Sequence, residues 1–316
     1  MRRRLMVRLS NQYLLDYAGI LSNLFQGDFV KGLVFLAITH ANVGHIEHDA
    51  ALSRLYGDLT DIRPDALRRP IRPYPLAQSL GLPRERVRRK VVALVADGFL
   101  EAAPLGMIAP ARVFARDDMR SSILANSALV VRLYKGLARA GVDNAPPPID
   151  GDLDIADLPN MAISRVTARF WLRAMDEICK LFPGDLLTGL TYVGVINANT
   201  SYLNALDDLP YADIDDHVPD SARRPITAIA LAAELGLPRE SVRRHVRALE
   251  NLGVCQVVKK GLIVPEAVLR QPNMVGPTLR TQTNIRLLLS QLQTIGFPPP
   301  WSVMSDDRRL AKARTG

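Results

Sequence analysis

One segment of this chain occurs twice. Residues 69–110 align without a gap on residues 224–265, and 21 of the 42 aligned positions are identical. A duplication of this kind settles the architecture before any single residue does. It also extends outward: residues 24–42 match residues 181–199 at an offset of 157, and residues 131–142 match residues 286–297 at an offset of 155. A period near 155 is the size of a whole domain, far beyond the roughly 20 to 50 residues of a solenoid repeat. The chain therefore divides into a first unit, 1–142, a Pro/Asp-rich linker, 143–160, a second unit, 161–297, and a C-terminal tail, 298–316.

With 316 residues, 48% of them hydrophobic and 23% charged, each unit is large enough to bury its own core. The longest apolar runs, such as residues 33–38, fall short of the roughly 20 residues of a membrane helix. The N-terminal residues 1–12 lack the apolar core of an export signal, so a cytoplasmic protein without a membrane partner is expected. Cys179 and Cys255 occupy non-equivalent repeat positions and form no Cys-x-x-Cys pair, which fits a reducing compartment. The net charge is +8. Residues 1–150 carry 21 Lys or Arg against 14 Asp or Glu, and residues 151–316 carry 19 against 18. On that count the first unit is the stronger binder of polyanions.

Helical periodicity predicts a first helix over residues 10–25. A second begins after Asp28, whose carboxylate can accept the free N–H groups of the first turn; Asp185 is its counterpart. Phe29, Leu33, Val34, Phe35, Leu36 and Ile38 make this second helix apolar nearly all round. Such a helix belongs inside a packed body, and in a tandem protein it is the natural contact between the units. Residues 43–68 and 200–222 read as irregular. The latter is acidic (Asp207, Asp208, Asp213, Asp215, Asp216, Asp220), either a solvated loop or a shield over a basic surface. Helices over residues 118–140 and 276–295 end at Gly141 and Gly296, and both copies then reach three prolines, at 146–148 and 298–300. The linker is expected to be semi-rigid, and the tail from residue 302 a poorly ordered end.

Within the repeat, Leu76, Ala77 and Leu80 are the buried positions of a short helix, and Gly81 supplies the positive φ of a tight turn. Leu82 packs beneath that bend, and Pro83 is placed at the first position of a second helix. Val87, Val91 and Leu94 then form its core stripe. The opposite face carries Arg84, Arg86, Arg88, Arg89 and Lys90 against Glu85; in the second copy it carries Arg239, Arg243, Arg244 and Arg247 against Glu240 and Glu250. This is the pattern of a helix-turn-helix whose second helix enters a DNA major groove. Arginine suits the role because its planar fork pairs with guanine O6 and N7 and grips phosphate oxygens. Arg84, Arg86, Arg239 and Ser241 are assigned to base edges, and Arg88, Arg89, Arg243 and Arg244 to phosphates. Short apolar strands follow, turning at residues 104–106 and 259–261, as a two-stranded wing. Its tip is Lys259 and Lys260 in the second copy, suited to a neighbouring phosphate, and uncharged in the first.

The segments LAQSLGLPRERVRRKVVALVADGFLE and LAAELGLPRESVRRHVRALENLGV resemble the winged helix-turn-helix of bacterial GntR-type regulators. The order of helices around them is similar to that of MarR-type regulators, which dimerise through their outer helices. The resemblance implies sequence-specific DNA binding and carries over to Arg84 with Arg88 and to Arg239 with Arg243. Two departures stand out: proline replaces the usual serine at Pro83 and Pro238, and the Gly-x-Gly wing tip is absent.

The fold expected is thus mostly α-helical, with two tandem winged helix-turn-helix domains related by a pseudo-twofold axis, each with flanking helices and a small β-wing. Such a monomeric pseudo-dimer would be a transcriptional regulator reading a pseudo-palindromic double-stranded site, its two recognition helices about 34 Å apart in successive grooves. A protein-protein adaptor built from the same domains is the alternative. His40, His45 and His48 invite a metal reading, but the second copy lacks histidines at their places, so no metal is expected. His40-Ala41-Asn42 and Asn197-Ala198-Asn199 end the two apolar helices alike, either as polar caps or as the lining of a small-molecule effector pocket between the units. No nucleophile-base pair, phosphate loop or dinucleotide fingerprint appears, so neither catalysis nor a cofactor is expected.

Overall fold

In a computed structural model that describes residues 2–141, 149 and 153–297, the chain is mostly α-helical with two small antiparallel hairpins. The two triple prolines, most of the linker and the tail lie outside the described residues. The first half runs α1 (Arg3–Leu24), α2 (Phe29–Val43), α3 (Ala50–Leu55), α4 (Pro73–Ser79), α5 (Arg84–Ala96), β1 (Glu101–Ala103), β2 (Gly106–Ile108), α6 (Ala111–Phe114) and α7 (Asp117–Arg139). The second half runs α8 (Asn160–Leu181), α9 (Leu186–Thr200), α10 (Ala228–Leu235), α11 (Arg239–Asn251), β3 (Gln256–Val258), β4 (Gly261–Ile263), α12 (Glu266–Leu269) and α13 (Pro272–Thr294). The order is the same in both, except that α3 has no helical counterpart. The segments expected to be irregular hold α3 and short 3-10 turns at Gly44–His48, Asp65–Leu67, Ser201–Ala205 and Asp220–Ala222.

The N-caps form as the sequence requires: Asp28 accepts from Lys31 N at 3.0 Å and Asp185 from Thr188 N at 3.1 Å. Helix α1, however, begins at Arg3, well before residue 10. Its extra turns are held by the other half of the molecule. The N–H groups of Arg4 and Leu5 donate to the Ala212 carbonyl at 2.9 and 3.2 Å. Arg8, buried, donates to Asn204 Oδ1 and to the carbonyls of Pro210 and Tyr211. A periodicity reading counts these arginines as surface and so starts the helix too late.

The second half returns the same contacts. The N–H groups of Met161 and Ala162, 157 residues after Arg4 and Leu5, both donate to the Gly57 carbonyl, at 2.9 and 3.1 Å. Arg165, the counterpart of Arg8, is also buried and donates to the carbonyls of Tyr56 and Ser53 at 2.7 and 3.0 Å. Each half's first helix thus holds the other half's connecting segment. Reciprocity of this kind marks an isologous interface.

The seam between the halves is aromatic and buried. The indole N–H of Trp171 donates to the Leu14 carbonyl at 3.1 Å, and the two residues are themselves repeat counterparts. Tyr17 and Phe29 meet the Trp171 ring edge-on. Helix α1 packs on α7, α13 and α9, while α8 packs on α13, α7 and α2. This corrects one expectation: the apolar helices α2 and α9 are not the main contact with each other. Each is sheathed by both first helices and by its own basic helix, α5 or α11. The stretch Phe29–Ile46 has a mean hydropathy of 1.3, enough by composition to cross a membrane, yet 67% of it is buried within the protein.

Candidate nucleic-acid interface

The core stripe of each helix pair is buried as its spacing requires: Leu76, Ala77, Leu80, Leu82, Val87, Val91 and Leu94 in the first half, Leu231, Ala232, Leu235, Val242, Val246 and Leu249 in the second. Gly81 and Gly236 both turn with φ of +59°, where a side chain would be strained. Pro83 and Pro238 take the N-cap position, one residue earlier than expected, and leave Arg84 and Arg239 to begin α5 and α11.

Both turns are seated on the opposite half. The Ser22 hydroxyl of α1 donates to the Gly236 carbonyl at 2.9 Å, and its counterpart Cys179 on α8 places its thiol 3.5 Å from the Leu80 carbonyl. Cys179 is therefore a packing group, its thiol pushed up to about 11 by burial. The hairpins are pinned in the same paired fashion. Asn42, fully buried, donates to the carbonyls of Arg69 and Met107 and accepts from Ala109 N; Asn199 does the same with Arg224, Leu262 and Val264. These asparagines are structural pins, which removes them from an effector pocket. Each hairpin also gains a third strand position missed in the sequence, Ile71 bridging Met107 and Ile226 bridging Leu262. That backbone comes so close to Gly106 and Gly261 that a Cβ at either glycine would lie 2.5 Å from it.

On α5, Arg84, Arg88 and Arg89 are exposed. Arg84 stacks 3.7 Å above the ring of Tyr74, a partner that spacing alone does not reveal, and Arg88 makes a two-pronged bond to Glu85 at 2.8 Å. Lys90 turns back to Asp28, the N-cap of α2. On α11, Arg239, Arg243, Arg244 and Arg247 are all exposed, and among the described residues only Arg243 is held near an acid, Glu240, at 3.5 Å. Lys259 and Lys260 are exposed at the β3–β4 turn, and the corresponding turn of the first hairpin presents Leu105, 68% exposed. Ser241 is half-buried. His245, the counterpart of Lys90, is buried against Thr188 at 2.8 Å and Asp185.

Arg86 is half-buried, and its charge, after burial and with Arg244, helps hold His245 on α11 below the usual imidazole range. Charges act on each other strongly only within about a Debye length, roughly 10 Å. The Arg86 side chain therefore reaches across toward His245 of α11.

The acidic segment 206–217 does not cover this surface. It is tied to Arg4 and Arg8, whereas the turn of the second half meets α1 at Ser22. Eighteen residues of helix separate Arg4 from Ser22, about 27 Å at 1.5 Å per residue. The shielding reading is thereby overturned. Among the described residues no group of three or more His, Cys, Asp or Glu is placed to hold a metal ion. No family model matches the chain, and neither a curated protein nor a solved structure is similar enough to mark a relative.

Proposed function

We propose that this protein is a tandem winged helix-turn-helix regulator that binds double-stranded DNA through α5 and α11. The observation that carries the reading is the pair of arginine-faced helices, built twice on the same buried stripe. Arg84, Arg88, Arg89, Arg239, Arg243, Arg244 and Arg247 offer cationic forks on one face, and Lys259 and Lys260 extend it toward a flanking phosphate or minor groove. The two recognition helices would read half-sites in successive grooves, about 34 Å apart. Because Val92 stands where the second half has Arg247, and Arg86 where it has Ser241, the half-sites differ in sequence.

The deciding experiment is enrichment of bound fragments from random duplex DNA, followed by titration at several salt concentrations. With about six to ten phosphates neutralised, affinity falls roughly 10³ to 10⁵ fold between about 50 and 200 mM salt. No enrichment and a flat salt response reject the reading. They favour a protein partner instead, for which Val92 (57% exposed), Val95 and Leu105 supply an apolar foothold in the first half.

A further inference from the structure

The two halves differ inside as well as outside. Between α1 and the helices α8, α9 and α13 lies a cavity of about 160 Å³, with walls that include Val7, Val193, Ile196 and Leu269. Their counterparts Ser164, Leu36, Thr39 and Phe114 line two separate cavities of about 50 Å³ each. The wedge between those two is Phe114, whose ring lies 4.7 Å beneath the guanidinium of Arg68. In the second half the counterpart arginine, Arg223, and Leu269 both line the large cavity, and Leu269 brings no ring where Phe114 does. Ala174 in place of Tyr17 widens it further.

The polar groups differ in the same sense. In the first-half arrangement Tyr13 Oη donates to Asn126 Oδ1 at 2.8 Å, and Asn126 Nδ2 donates to Thr167 Oγ1 at 2.9 Å, closing a buried network. The counterparts are Phe170, Thr281 and Ser10: the phenol is gone, Thr281 bonds back to its own helix, and Ser10 Oγ is buried without a hydrogen-bond partner among the described residues. Arg223, also in the wall of the large cavity and with a side chain only 1% exposed, gives Nε to Asp220 at 3.2 Å and Nη2 to the Val218 carbonyl at 2.9 Å, and its Nη1 is left without a hydrogen-bond partner among the described residues. Unpartnered buried polar groups cost about 1 to 3 kcal/mol each, and the two that can donate here, Ser10 Oγ and Arg223 Nη1, suit an acceptor.

We propose that the second half binds a small aromatic carboxylic acid here, its ring taking the place that Phe114 takes in the first half and its carboxylate pairing with Arg223 Nη1. A cavity of about 150 Å³ accepts a benzene-sized ring. In the wall Arg280 pairs with Glu177, Arg223 with Asp220, and Arg4 lies in the field of Asp215 and Asp216, whereas Arg8 has no carboxylate partner among the described residues, so an anion there meets one uncompensated guanidinium. Burial lowers the pKa of Arg4, Arg8 and Arg223, a penalty that a paired carboxylate relieves. The site stands independently of the DNA reading.

The probe is phenylacetate, titrated calorimetrically into the full chain beside its neutral isostere phenylacetamide. The expected result is saturable one-to-one binding of the acid, with the amide about tenfold weaker or more. Leu269→Phe, which rebuilds the first-half wedge, lowers affinity by at least a similar factor while leaving the melting temperature unchanged or raised. Val193→Leu, the milder first-half residue, gives the same direction if the larger ring disturbs folding. Absence of saturable binding, equal binding of the amide, or unchanged affinity in both filled variants overturns the proposal.

Discussion

The first half carries the larger excess of positive charge, but the second half displays more of it on its basic helix and hairpin turn. Much of the first half's surplus is used inside: Arg8, Arg63 and Arg68 are buried, Arg4 is tied to the other half's loop, and Lys90 caps Asp28. The second half keeps its arginines on α11 and its lysines on the hairpin turn, all in solvent. Net charge counted along a chain therefore misjudges which face grips a polyanion when arginines also serve as structural donors. On the basic helix and hairpin turn alone, the second half presents six exposed cations, Arg239, Arg243, Arg244, Arg247, Lys259 and Lys260, against Arg84, Arg88 and Arg89 in the first.

Four measurements put that contrast at risk. The largest effect belongs to the feature the halves share. Arg8→Ala and Arg165→Ala each strand several buried carbonyls, and urea unfolding should show a loss of about 3 kcal/mol or more in each case. A large loss in one and none in the other would end the claim of reciprocity. Next, replacing Arg243, Arg244 and Arg247 together by alanine should weaken DNA binding more than replacing Arg88 and Arg89, and should flatten the salt slope by about one unit for each phosphate no longer neutralised. The reverse order in a binding titration would place the main grip on α5.

A smaller effect separates His40 from its counterpart Asn197. His40 is half-buried beside Arg169 and Arg173, and burial first, then those charges, hold its pKa down to about 4. The unfolded chain, with an ordinary value near 6.5, takes up that proton first, so stability is lost as pH falls from about 6.5 toward 4. His40→Asn should flatten the melting-temperature profile across that window, and an unchanged slope would assign the pH response elsewhere. The smallest effect is that of the hairpin turn: Lys259→Ala and Lys260→Ala should each reduce the salt slope by about one unit without altering sequence preference.

How far the sequence alone reaches depends on which residues carry the information. The duplication, the buried stripe from Leu76 to Leu94, the N-caps Asp28 and Asp185 and the glycine turns are all legible, because each follows from local spacing and backbone geometry. The exposed arginines of α5 and α11 are legible for the same reason. What spacing cannot convey is where a long polar side chain goes. Arg8 and Arg165 are buried donors that no local spacing marks, Asn42 and Asn199 read as caps or pocket lining and are pins, and Arg86 reads as a base reader and is half-buried. The separation of the two basic helices is equally out of reach, because it depends on how the turns sit on Ser22 and Cys179 across the seam. The large cavity leaves no trace until the two halves are compared in space, where Leu269 stands for Phe114 and Ala174 for Tyr17.

The crossed grip of Arg8 and Arg165 has a consequence for stoichiometry. Since each first helix completes its neighbour's fold, severing the peptide between the halves would leave two fragments that stay associated. Covalent continuity does something else: it guarantees one fragment of each kind in every molecule and forbids pairs of like halves. A molecule assembled this way is always asymmetric, with the lysine-tipped hairpin on one side only.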